Sequence, residues 1–210
     1  NNNNSIGNIS SSQWSSASLL TIPLIYILSM GSNELKEATK IAILNANYLK
    51  NKLDNHYTIN TNKNGRVGHE FIIDTSEFSK YNIRDVDIAK RMIDYNFHPG
   101  TMSWPRKNVI MIEPTESENK DELDRFVSAM ISIKEEITHI KNGIYTQDNN
   151  PLKNAPHSLD LLRDEWKYPY SMKQAYYPNE SLYEKKKFPT IGRVNDNYGD
   201  KNILKPNNIY

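Results

Sequence analysis

The 210 residues predict an α+β fold: a mostly antiparallel sheet with helices on one face, followed by a long irregular C-terminal extension. Three observations predict it. Apolar residues recur at three- and four-residue spacing in three long segments, which is helical periodicity. Short apolar runs bounded by Gly, Pro and Asn alternate with those segments and read as strands. Beyond Gly143 both patterns give way to Pro, Tyr, Asn and Lys. The order helix, strand, strand, helix, strand, strand, helix suits an α+β unit.

The first seventeen residues are polar and rich in Ser and Asn, with Trp14 placed to pack against the helix that follows. Ser18 to Met30 is an apolar run of about thirteen residues, short of the roughly twenty a membrane span needs. No positive segment precedes it, which argues against a secretory signal, so the run reads as a buried helix. Pro23 should kink that helix or confine it to the residues after it. Gly31, Ser32 and Asn33 interrupt the pattern. Asn33 then caps a helix with Glu34 and Glu37 in its first turn, the charge favoured there by the helix dipole. Leu35, Ala38, Ala42, Leu49 and Leu53 form its apolar side, and it should end near Asn55.

Tyr57 to Asn60 and His69 to Asp74 read as two strands, joined by a turn at Lys63-Asn64-Gly65, where Asn and Gly tolerate positive φ. Asp85 opens a helix with Val86, Ala89, Met92, Ile93 and Phe97 inward, ended by His98-Pro99-Gly100. Met102 to Trp104 reads as a strand, Pro105-Arg106-Lys107 as a turn, and Val109 to Ile112 as a further strand stopped by Pro114. Asn119 and Glu122 have capping-box spacing. Leu123, Phe126, Val127, Met130, Ile133, Ile137 and Ile140 then make one helical face. A short helix is expected at about Leu159 to Trp166.

A net charge of +1 with interspersed signs argues against a nucleic-acid partner. The absence of cysteine excludes a disulfide, a thiol nucleophile and a thiolate metal site. Asn, Lys and Ile together form roughly a third of the chain, a bias expected of an A+T-rich genome. No two of His56, His69, His98, His139 and His157 are spaced as a metal pair on one helix, so no metal site is assigned. His139 complements a helix C-terminus. Glu113, Glu116 and Glu118 read first as a solvated acidic turn, with acid–base chemistry the alternative. Lys185, Lys186 and Lys187 form either a solvated charge run or a patch for an acidic partner. His98 and Thr101 flank a helix-to-strand break, where a loop can reach into a site.

Several motifs then carry a resemblance. AILNANYLKNKL (42–53), GHEFIID (68–74), DYNFHPGTMSWP (94–105) and IEPTESENKDELDRF (112–126) closely resemble the C-terminal part of the glycine cleavage system P-protein family. So do NPLKNAPHS (150–158), EWKYPYS (165–171) and FPTIGRVNDNYGDKN (188–202). The resemblance implies glycine dehydrogenase (decarboxylating), a pyridoxal-phosphate enzyme of fold type I. Such an enzyme decarboxylates glycine and passes the aminomethyl group to the lipoyl arm of the H-protein. The cofactor supplies that chemistry and the protein positions it.

It also implies a division of the chain. Residues 1–30 would end the large cofactor-binding domain, 31–143 form the small C-terminal α+β domain, and 144–210 wrap it. The family's cofactor lysine stands in a His-Lys motif upstream of the matched region, and no such motif occurs here. No catalytic residue is therefore expected in this chain, which should be inactive alone. His98 and Thr101, then Arg66 and His69, are the expected lining of a site between the two domains, with Arg or His holding glycine's carboxylate. Lys185, Lys186 and Lys187 are the expected docking patch for the generally acidic H-protein. The remaining expected partner is the N-terminal portion or a second P-protein subunit, with no membrane. The location would be the cytoplasm of a bacterium or the mitochondrial matrix of a eukaryote. The alternative is a stand-alone module that docks the H-protein or a partner subunit without catalysis.

Departures from the family pattern are local. Gln13 and Ser15 stand where Pro and Gly are expected, His98-Pro99-Gly100-Thr101 replaces a His-Ala-Pro-Thr-like loop, and ILKPNNIY replaces a cysteine-containing end.

Overall fold

The computed structural model describes residues 16–163 and 165–202. Gln13, Trp14, Ser15 and the terminal ILKPNNIY lie outside the described residues, and with them the expectation that Trp14 packs on the first helix.

A 3-10 turn at Ala17–Leu20 leads into α1 (Thr21–Leu53), and Pro23 sits in its first turn, where its missing N–H costs nothing. Gly31 (φ 72, ψ 178) breaks the helical path where the sequence places an interruption, because that conformation strains any residue with a Cβ. The two halves of α1 differ in burial. After the break, Asn45, Ala46, Leu49, Lys50 and Leu53 are buried. Before it, Leu19, Leu20, Ile22, Leu24, Ile25, Tyr26, Ile27 and Leu28 are 46–73% exposed. The expected buried helix is therefore a helix, but among the described residues nothing covers it.

The sheet is three-stranded and antiparallel, in the order β1 (Thr58–Ile59), β2 (Phe71–Asp74), β3 (Val109–Ile112). Asn62 ties the β1–β2 turn: its side-chain oxygen accepts from the amides of Asn64 and Arg66, and Gly65 takes φ 69. β2 pairs with β3 in the register Phe71↔Ile112 to Asp74↔Val109. The expected strand at Met102 to Trp104 shrinks to a single bridge, Met102↔Ile110. Ser103 and Asn108 at positive φ turn the chain away, and Pro105 has no N–H to continue a ladder.

α2 (Asp85–Asp94) and α3 (Lys120–Lys141) complete the layer. Leu49 and Leu53 of α1, Phe71 and Ile73 of β2, Met92 of α2 and Leu123, Met130 and Ile133 of α3 meet in one buried cluster. Asn119 caps α3 by accepting from the Glu122 amide at 2.9 Å. The reciprocal half of the capping box is replaced: Arg125 donates to both Glu122 carboxylate oxygens. A bidentate charge-assisted fork is stronger than one bond from a backbone amide.

The extension carries α4 (Pro151–Asn154), α5 (Met172–Tyr176) and α6 (Asp196–Asn202). The helix expected at Leu159 to Trp166 is a 3-10 turn, Leu159–Leu162. Trp166, Tyr168, Tyr170, Tyr176 and Phe188 gather in a second aromatic cluster.

Candidate functional site

The site begins at the loop after α2. Asn96 takes φ 62 and turns the chain out of the helix. Gly100 then runs against β3 so closely that a Cβ there would stand 1.9 Å from the Met111 carbonyl oxygen. Only glycine fits, and the Thr101 carbonyl accepts from the Met111 amide at 2.9 Å to hold the contact. His98 and Thr101 are thereby presented at the mouth of a cleft of about 360 Å³. Its floor is apolar, from Leu49, Met92, Leu123 and Phe126, while Glu113, Glu118 and Glu122 supply carboxylates.

Side-chain contacts on two sides fix the walls. Arg125 lies 3.7 Å from the centre of the Phe97 ring, which meets Phe126 edge-on at 5.2 Å. Arg125's fork holds the Glu122 carboxyl below its ordinary range, against the opposing effect of burial. On the other side, Asn45 of α1 donates to the Thr115 and Glu118 carbonyls and pins the acidic turn. Tyr26 donates to Glu116, linking the exposed half of α1 to the same turn.

The expected residues divide. His98 and Thr101 line the cleft together. His69 reaches its rim through Glu113, with Nε2 3.8 Å from Glu113 Oε1 and 3.6 Å from Glu70 Oε2. Two carboxylates beside it favour a cation over the carboxylate of a substrate. Arg66 is exposed on the hairpin turn and is not part of the lining. Glu113 and Glu118, read first as solvated groups, join the cleft because β3 ends beside the His98 loop.

The lysine run does not form a triple patch. Lys185 and Lys187 are exposed, but Lys186 turns inward and donates to the Asp94 carbonyl. Burial there pushes its ammonium down to about 8, with the Asp94 charge opposing that shift.

A second constellation escaped sequence reasoning. Arg91 is fully buried and donates to both oxygens of Glu136 (2.9 and 2.7 Å), to Asp94 (2.9 Å) and to the Gln174 and Ala175 carbonyls. Asp94 accepts from the His157 amide and from Nδ1, at 2.8 and 2.7 Å, and His157 Nε2 meets the Tyr170 hydroxyl at 2.8 Å. Asp87 receives Lys153 at 2.8 Å and Arg193 at 2.6 Å. These contacts clamp the extension onto α2. The available signal was the run of Asp87, Arg91 and Asp94 at three- and four-residue spacing beside apolar Ile88 and Met92.

Much of this fold corresponds to a known domain. Residues 38–157 match the family described as glycine dehydrogenase, C-terminal domain. The chain belongs to that family.

Curated relatives extend the match over nearly all of the chain. Glycine dehydrogenase (decarboxylating) of Dechloromonas aromatica is 50% identical over 94% of this chain, and that of Bdellovibrio bacteriovorus 47% identical over 96%. A Schizosaccharomyces pombe relative, whose name carries the word mitochondrial, is 47% identical over 96%. The chain spans only 21% of the length of the two bacterial relatives. Among the described residues, no helix is long and apolar enough to cross a membrane. The family match covers the sheet, the cleft loop, α2, α3 and His157 of the clamp.

Proposed function

We propose that this chain is the C-terminal part of a glycine dehydrogenase (decarboxylating) and contributes to catalysis only when joined to the rest of that enzyme. The reaction would be pyridoxal-phosphate-dependent decarboxylation of glycine, with the aminomethyl group passed to the lipoyl arm of the H-protein. The half of α1 that the described residues leave exposed carries this reading. Leu20, Ile22, Leu24, Ile25, Tyr26, Ile27 and Leu28 point to every side of that helix. A helix that is apolar all round is stable only when surrounded. Relatives nearly five times as long, at 21% coverage, supply polypeptide to surround it.

The cleft residues do not fit the cofactor. Its lining offers three carboxylates and no lysine nitrogen, so a phosphate-bearing aldehyde finds neither its covalent partner nor a favourable charge. The cofactor belongs to the portion outside this chain, and no chemical step is assigned to a residue here. His98 and Thr101 serve instead to line the cavity that the other portion closes, and water leaves as the apolar floor is covered. Lys185 and Lys187 form a two-lysine docking point for an acidic H-protein. Such an enzyme would work in the bacterial cytoplasm, or in the mitochondrial matrix of a eukaryote.

Expressing this chain and the remaining portion of the enzyme separately and together tests the reading. Exchange of labelled CO₂ into glycine should occur only with both present. Exchange by this chain alone, supplied with cofactor and H-protein, would overturn it. Replacing Lys185 and Lys187 by Ala should weaken H-protein affinity and flatten its salt dependence, and an unchanged salt dependence would remove the docking role.

A further inference from the structure

The rim of the cleft holds three metal-ligating side chains that no part of the proposed reaction uses. The β2–β3 register pairs Phe71 with Ile112, so the next residues outward, Glu70 and Glu113, stand opposite each other. Like charges directly opposite on neighbouring strands destabilise a sheet. His69 adjoins both carboxylates, and one ligand atom from each of the three residues lies within 4.8 Å of the other two. Glu70 is half-buried and the other two are exposed, so solvent reaches the group.

From this geometry we propose that His69, Glu70 and Glu113 bind a divalent transition cation of the zinc class. A four-coordinate ion with ligand bonds near 2.1 Å has tetrahedral edges of about 3.4 Å. The His69 nitrogen stands 3.6 and 3.8 Å from its two carboxylate partners, within a few tenths of an ångström of that edge, and the two carboxylates lie within 4.8 Å of each other. One imidazole and two carboxylates form a mixed nitrogen–oxygen set that suits Zn²⁺, Co²⁺ or Mn²⁺ better than the all-oxygen shell Ca²⁺ and Mg²⁺ take. Three protein ligands leave one position for water. Glu113 is also a lining residue of the cleft, so the ion would sit at the cleft's rim. The cation would neutralise the opposed carboxylates and lock the open end of the β2–β3 pair. The site rests on this chain's own residues, independently of the glycine dehydrogenase reading.

Titrating the full chain with Zn²⁺ by calorimetry, and with Co²⁺ followed by visible absorption, tests the proposal. One equivalent should bind saturably, with the intense absorption of four-coordinate Co²⁺. Glu113→Gln and His69→Asn should each weaken binding by roughly tenfold or more, since losing a ligand costs at least as much as losing an outer-sphere partner. Glu118→Gln, in the same cleft but outside the triad, should leave it unchanged, and melting temperatures confirm that the variants fold. Absence of saturable binding, or equal binding by wild type and both ligand variants, would overturn it.

Discussion

Replacing Arg91 by Met removes the centre of the clamp while keeping an unbranched side chain of similar reach. Two buried carboxylates, Asp94 and Glu136, then lose their guanidinium, and the Gln174 and Ala175 carbonyls lose a donor. Breaking a buried ion pair by deleting one partner costs about 3–5 kcal/mol, because the remaining charge stays buried without compensation. With a urea slope of about 2 kcal/mol/M, the midpoint should fall by roughly 2 M. Far-UV circular dichroism reads global unfolding, and Trp166, whose indole donates to the Tyr170 carbonyl, reports the clamp by fluorescence. Combining Arg91→Met with Glu136→Met should recover part of the loss, since it removes a stranded charge. A midpoint shift under about 0.5 M with an unchanged slope would refute the claim that this network holds the extension in place. The same network predicts acid sensitivity. Burial pushes the Asp94 carboxyl up, but the His157 hydrogen bonds and the Arg91 charge outweigh it and hold it below its ordinary value. Its contribution is therefore present above about pH 4, the unfolded value, and lost as pH falls through the lower folded one. Asp94→Asn should flatten that acid limb.

Gly100→Ala should destabilise by about 1–3 kcal/mol in urea titrations, because the added methyl meets the Met111 carbonyl and backbone must move. Lys186→Met should remove a pH dependence visible as the wild-type-minus-variant stability difference. With the folded ammonium at about 8 and the unfolded one near 10.4, the unfolded state binds more protons between them, so wild-type stability gains relative to the variant as pH rises through that window. Asn119→Ala should cost about 1 kcal/mol through loss of the α3 cap, read by thermal melting with Asn119→Ser as the conservative control.

Local chemistry was legible wherever a residue acts on its own neighbours. The α3 face from Leu123 to Ile140, the Asn119 cap, the Gly31 break and the turn at Gly65 all follow from spacing and from φ preferences, which chain neighbours decide. The motifs around residues 42–53, 94–105 and 112–126 carried the family for the same reason: they are continuous in sequence.

Burial and side-chain partnership were decided in space. Ser18 to Met30 reads as buried from its composition, yet what surrounds a helix is a property of other segments, and among the described residues its apolar side chains are exposed. Lys186 belongs by sequence to a charged run and by structure to the underside of α2, because Asn96 bonds the chain on either side of it and turns its side chain inward. Arg91, Glu136 and His157 lie 45 and 66 residues apart along their contacts, and no periodicity encodes that meeting. Glu70 and Glu113 face each other only because the β2–β3 register puts them there. Sequence alone determined the long helices, the hairpin turn and the family. Tertiary structure decided which charges are buried, which carboxylates share a cleft and which apolar helix is left exposed among the described residues, since desolvation and Coulomb energy depend on distance through space.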